Sequence, residues 1–207
     1  MNSDSCWKCG QASPESLFCR FCNSLQPPTP DYFAFFGFDR HLSLDTAELE
    51  RRYYGLSRQI HPDYFRRGAP NEEQFALDAT AILNDAYRTL KNPVSRGEYV
   101  LKEEGFQPAG RQAKRVPPEL LEDVFEVNLS IERLRGGDAS VRPALEQERD
   151  RFRGMSKAID KDLEVLFREY DGTGERDVLG KIRGVLDRRS YVSNLIEQVE
   201  EELDRDV

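Results

Sequence analysis

The 207-residue sequence carries 38 acidic and 30 basic residues, a formal net charge of -8 and a pI near 5.0. Such a chain has no general electrostatic attraction for nucleic acid or an anionic membrane surface, and no stretch approaches the roughly 18 consecutive apolar residues of a membrane span. At 38% hydrophobic and 33% charged it has the composition of a charge-rich helical protein, long enough to bury a core.

The first eleven residues, MNSDSCWKCGQ, lack the basic and apolar stretches of a secretory signal and the arginine-rich amphipathic pattern of a transit peptide. The expectation is a cytoplasmic protein in a reducing compartment. Residues 1–26 hold all four cysteines, Cys6, Cys9, Cys19 and Cys22, as two CxxC pairs separated by nine residues. Two close pairs are what four thiolates need to surround one tetrahedral ion. A segment of this size has little core of its own, so structural zinc is expected to hold it. Two disulfides are disfavoured in a reducing compartment, and a redox or iron–sulfur role is the other alternative. A closed four-thiolate site leaves no open coordination position for catalysis. Only Lys8 and Arg20 are basic here, which argues against a nucleic-acid-binding ribbon.

Residues 27–30 form a proline-rich linker, stiff and short of amide donors. Beyond it the pattern is helical. Residues 31–38, DYFAFFGF, suit only a short apolar element, with Tyr32, Phe33, Phe35, Phe36 and Phe38 as core candidates. Asp45 reads as an N-cap with Glu48 at N3, and Leu49, Tyr53, Leu56 and Ile60 then share one helical face. Pro62 disfavours helix at His61. A second long helix spans about 72–91, with Phe75, Ala79, Ile82, Leu83, Ala86 and Leu90 inward. Asn92-Pro93 starts a third, which Gly105 closes. After a linker at 107–117, three helical patterns at about 118–135, 138–170 and 175–205 are separated by Gly136-Gly137 and by residues 171–174. Short connections between three helices imply an antiparallel bundle. No long segment alternates as a strand does.

His61 and Asp63 could orient one another for general-base chemistry. No nucleophile accompanies them, however, and no phosphate-binding glycine loop is present. Their position, between a capped helix and a second long helix with DYFAFFGF before both, resembles the J domain, the module by which co-chaperones engage DnaK-type ATPases. By that resemblance His61, Pro62 and Asp63 dock on the chaperone, and Arg51, Arg52 and Arg58 supply part of a basic face; Glu50, Tyr54, Gly55 and Tyr64 depart from the usual basic pattern. Residues 82–105, ILNDAYRTLKNPVSRGEYVLKEEG, narrow the resemblance to the HscB family of J-type co-chaperones for iron–sulfur cluster assembly, some members of which carry a four-cysteine extension.

The resemblance implies an all-α chain: a zinc-ribbon-like module at 1–26, a J domain at 31–106 and a C-terminal three-helix bundle at 118–207. It implies a non-enzymatic adaptor that binds an IscU-like scaffold and a DnaK/HscA-type chaperone and stimulates ATP hydrolysis, without nucleic-acid or membrane partners. A J protein for another client, chosen by the cysteine module, is the alternative. In the bundle, Leu120, Val124, Val127, Ile131 and Leu134 form one sufficient core stripe. Leu121, Phe125 and Leu129 form a second, either packed between two neighbouring helices or against the J domain, or free to bind a partner. The family's scaffold-binding motif carries over to Leu121, Phe125 and Glu126.

Overall fold

A computed structural model describes residues 5–12, 16–66, 68–106, 116 and 118–205. Most of the linker expected at 107–117 lies outside them. The described residues contain seven α-helices and no strand: α1 (Tyr32–Phe36), α2 (Thr46–Gln59), α3 (Pro70–Lys91), α4 (Pro93–Glu103), α5 (Leu121–Arg135), α6 (Arg142–Thr173) and α7 (Arg176–Arg205). The all-helical expectation holds. The chain divides into two compact units, Met1–Arg96 and Gly97–Val207.

In the first unit, sequence signals become caps. The Asp31 carboxylate accepts from the amides of Phe33 and Ala34, and that of Asp45 accepts from Ala47 and Glu48. The expected reciprocal half of the capping box is diverted: Glu48 turns to Arg51 and Arg52 instead. Asn92 caps α4 through the amides of Val94 and Ser95. Both α1 and α2 pack on α3, burying Phe33, Phe35, Phe36, Leu42, Leu49, Ile60, Ala76, Ala79, Leu83, Ala86 and Leu90. Tyr32 and Phe38 are only partly buried. Phe75 also sits short of the core, and Ala76 takes the inward place expected for it. The buried Arg96 donates to the carbonyls of Leu42 and Leu90, which anchors the start of α4.

In the second unit α6 and α7 pack along their length and α5 lies against both. Their core comprises Leu120, Val127, Ile131, Leu134, Leu145, Phe152, Ile159, Val192, Leu195, Val199 and Leu203, with Val124 at its margin. The core stripe of α5 is therefore as the 4, 3, 4, 3 spacing predicts. The break expected over residues 171–174 falls only at Gly174, whose φ of 66° ends α6; Gly172 remains helical. Gly97 lets α4 approach the bundle, because an added Cβ would lie 3.2 Å from both Phe167 and Leu186.

Candidate functional site

The cysteine module is built as a two-fold repeat. Cys6 to Cys19 and Cys9 to Cys22 are both 13 residues apart. Each pair closes a knuckle with one antiparallel bridge, Ser5 to Ala12 and Phe18 to Leu25. In each, the first cysteine's carbonyl accepts from the residue after the second cysteine, Gly10 or Asn23, and the first sulfur accepts an amide from the residue two positions on, Lys8 or Phe21. Gly10 and Asn23 both take left-handed φ values, 69° and 55°, which glycine and asparagine tolerate best.

The four Sγ atoms lie within 4.8 Å of one another, with Cys6–Cys22 at 3.6 Å and Cys9–Cys19 at 3.8 Å. A tetrahedron with arms near 2.3 Å has edges of about 3.8 Å. These separations are far from a disulfide bond, and all four cysteines are free. The buried Ser24 and Gln26 add hydrogen bonds: the Gln26 amide donates to Cys6 Sγ at 3.4 Å and to the Ser24 hydroxyl at 2.9 Å, and the Ser24 hydroxyl lies 3.1 Å from Cys22 Sγ. Burial alone would raise the Cys6 thiol, but hydrogen bonds from Ser24 and from the backbone outweigh it and hold the thiol near 5. Such donors spread the negative charge that a four-thiolate centre accumulates. The donor set therefore fits a metal ion. Ser24 and Gln26 carried no sequence signal; the knuckle repeat did, in the residue that follows each CxxC.

The second site is the turn after α2. Ile60, 1% exposed, anchors its start. Pro62–Tyr64 form a single 3-10 turn, closed by the amides of Tyr64 and Phe65 on the carbonyls of His61 and Pro62. His61 caps it, its Nδ1 accepting the Asp63 amide at 3.3 Å. A neutral ring so engaged carries its proton on Nε2. The side chains of His61 and Asp63 are 56% and 61% exposed, so this turn is presented to solvent. Tyr64 is exposed beside His61.

The three arginines of α2 divide. Arg58 is exposed and makes no ion pair among the described residues, and Arg51 is exposed beside Glu48. Arg52 faces inward: its guanidinium donates to the carbonyls of Phe36 and Gly37 and covers the Phe38 ring. On α5, Leu121, Phe125 and Leu129 are 54%, 69% and 49% exposed, and Glu122 and Glu126 are exposed beside them. Packing of this second stripe between neighbouring helices of the bundle does not hold. No described helix is long and apolar enough to cross a membrane.

A helical hairpin that offers His-Pro-Asp on an exposed turn, in a chain that also carries a helical bundle and a four-cysteine knuckle pair, defines a J-type co-chaperone. No family model matches the chain. It is 33% identical to the iron–sulfur cluster co-chaperone protein HscB of Mus musculus, covering 94% of this chain and 80% of the relative, and 30% identical to that of Homo sapiens, covering 96% and 82%. The chain belongs to the HscB family of iron–sulfur cluster co-chaperones. The crystal structure of the human co-chaperone superposes with a TM-score of 0.71 at 29% identity, covering 96% of this chain and 98% of that one. A Vibrio cholerae HscB chaperone shares the fold, with a TM-score of 0.66 at 23% identity, covering 86% and 100%.

Proposed function

We propose that this chain carries an IscU-like scaffold to a DnaK/HscA-type chaperone and stimulates that chaperone's ATP hydrolysis during cluster transfer. The exposed turn His61-Pro62-Asp63 carries the reading. Pro62 limits the turn's conformations, so little ordering cost remains when Asp63 meets a partner. Arg51 and Arg58 are the exposed cations of α2, the helix that leads into the turn. The scaffold docks on α5 through Leu121, Phe125 and Glu126, apolar contacts edged by acid. The adaptor acts by making the scaffold–chaperone encounter intramolecular; the ATPase chemistry belongs to the chaperone. Cys6, Cys9, Cys19 and Cys22 hold zinc, which supplies the cross-link the small module lacks. The working parts are the cysteine module at 1–26, the J domain at 31–106 and the bundle at 118–207.

An ATPase assay on the cognate chaperone, with and without scaffold, tests this. The wild-type chain raises the rate and His61→Gln does not, at unchanged circular dichroism. Equal stimulation by both removes the chaperone-docking assignment.

A further inference from the structure

The helix entered from the docking turn starts without a cap. In the first unit α1, α2 and α4 begin on Asp31, Asp45 and Asn92, whose side chains accept the orphan amides. α3 begins on Ala69, which makes no side-chain cap. Uncapped first turns fray, because their amides lack partners. Pro70, Glu72 and Glu73 help in part, by fixed φ and by charge at the helix N-terminus.

The remaining support comes from the first cysteine knuckle. Both residues between Cys6 and Cys9 reach the start of α3. Lys8 Nζ lies 3.3 Å from Glu72 Oε1. The Trp7 ring meets Phe75 edge-on, with centroids 6.0 Å apart, and is pinned by its Nε1–H donating to the Leu25 carbonyl at 2.7 Å. Glu72 is 8% exposed, and Lys8 is its one cationic partner among the described residues. The other Glu72 oxygen abuts the end of the loop: a Cβ added at Gly68 would lie 2.9 Å from Oε2. Glu72 thus touches the metal-binding knuckle on one side and the chain returning from His61-Pro62-Asp63 on the other.

We propose that Lys8 and Trp7 are positioning residues that link metal occupancy of the cysteine site to the order of the docking turn. With four thiolates on one ion, the Cys6–Cys9 knuckle is fixed, and both side chains are seated on the start of α3. With the ion removed the knuckle has too little core to persist, so Glu72 loses its cation and Phe75 its cover. The first turn of α3 then frays. The docking turn keeps its anchor at Ile60 and loses the one at Glu72. Linkage is reciprocal, so a partner that orders the turn tightens the metal site. The coupling rests on the metal-site reading and is measured without any chaperone, so a failed ATPase assay leaves it standing.

Amide hydrogen exchange of the full chain, read by mass spectrometry, tests it. On chelation, exchange over residues 63–66 and 72–76 accelerates by roughly five- to tenfold or more, while α6 and α7 are unchanged. Lys8→Ala retains one metal per chain, yet speeds exchange in the same peptides by a factor of about two to five; Lys8→Arg restores protection. Three results overturn the proposal: unchanged exchange there after complete metal removal, Lys8→Ala indistinguishable from wild type, or acceleration spread evenly through α2 as well.

Discussion

The Arg52 guanidinium carbon sits 4.0 Å from the centre of the Phe38 ring, while its Nη1 donates to the carbonyls of Phe36 and Gly37 at 2.9 and 2.7 Å. Arg52 therefore ties α2 to the turn that ends α1, whereas Arg58, six residues on, faces solvent. The two substitutions should separate. Arg52→Ala leaves two carbonyls short of a charged donor and is expected to cost about 1–3 kcal/mol by urea unfolding. Arg58→Ala should change stability by less than about 0.5 kcal/mol, yet weaken chaperone binding and flatten its salt dependence. Loss of stability in Arg58→Ala, with binding intact, would contradict this division.

The exposed stripe on α5 gives a second pair. Leu121→Ala combined with Phe125→Ala removes side chains that are more than half exposed, so the thermal midpoint should stay within a few degrees. Scaffold affinity, followed by calorimetric titration, should fall at least about tenfold, as for apolar anchors of an interface. Val127→Ala, on the buried stripe, should do the reverse: a loss of about 1–3 kcal/mol of stability with affinity kept in the folded fraction. Unchanged affinity in the double variant would refute the docking surface.

Much of this was legible in the chain. The cap at Asp45, the helix start at Asn92-Pro93 and the core stripe of α5 follow from local rules that a residue and its near neighbours satisfy. The HPD turn was legible because proline forces a bend between two periodic runs. What stayed hidden depended on distant contacts. Nothing local marks Phe75 as lying under Trp7, or Arg52 as folding back over Phe38. The second stripe of α5 was visible as a pattern, but only the positions of α6 and α7 decide that it faces solvent.

Arg96 is a residue whose role the motif around it conceals. It is 5% exposed, and it donates to the Leu42 and Leu90 carbonyls. Arg96→Leu would fill similar space and abandon two acceptors. Each buried unsatisfied group costs about 1–3 kcal/mol, so the first unit should lose on the order of 2–5 kcal/mol. Hydrogen exchange in α3 should report this, with α6 and α7 protected as before. Equal destabilisation of the bundle would show that the damage is not local.

The cysteine site predicts a stoichiometry. Native mass spectrometry should find one zinc per chain, and the purified protein should be colourless, where an iron–sulfur cluster would absorb visible light. All four thiols should resist alkylation until a chelator is added, then react together, since the four sulfurs lie close enough to hold a single ion. Cys22→Ser should release the metal outright. Rapid alkylation of any of the four cysteines in the metal-loaded protein would exclude a closed four-thiolate centre.

Glu202 makes the stability of the bundle depend on pH. It is 5% exposed on α7 and hydrogen-bonded by Arg135 on α5 and Arg205. The Arg135 guanidinium holds its carboxyl below the usual carboxylate range, against the opposing effect of burial. An unfolded glutamate titrates at about 4.3. The folded state therefore binds fewer protons in the window below that value, and stability rises with pH across it. The contribution is complete above the unfolded pKa and is lost as pH falls through the lower folded one. Glu202→Gln removes it at every pH. The difference in urea midpoint between wild type and Glu202→Gln should thus be largest from about pH 5 to 8 and should shrink steadily below about pH 4. A gap that persists undiminished into strong acid would mean that Glu202 acts through packing rather than through its charge.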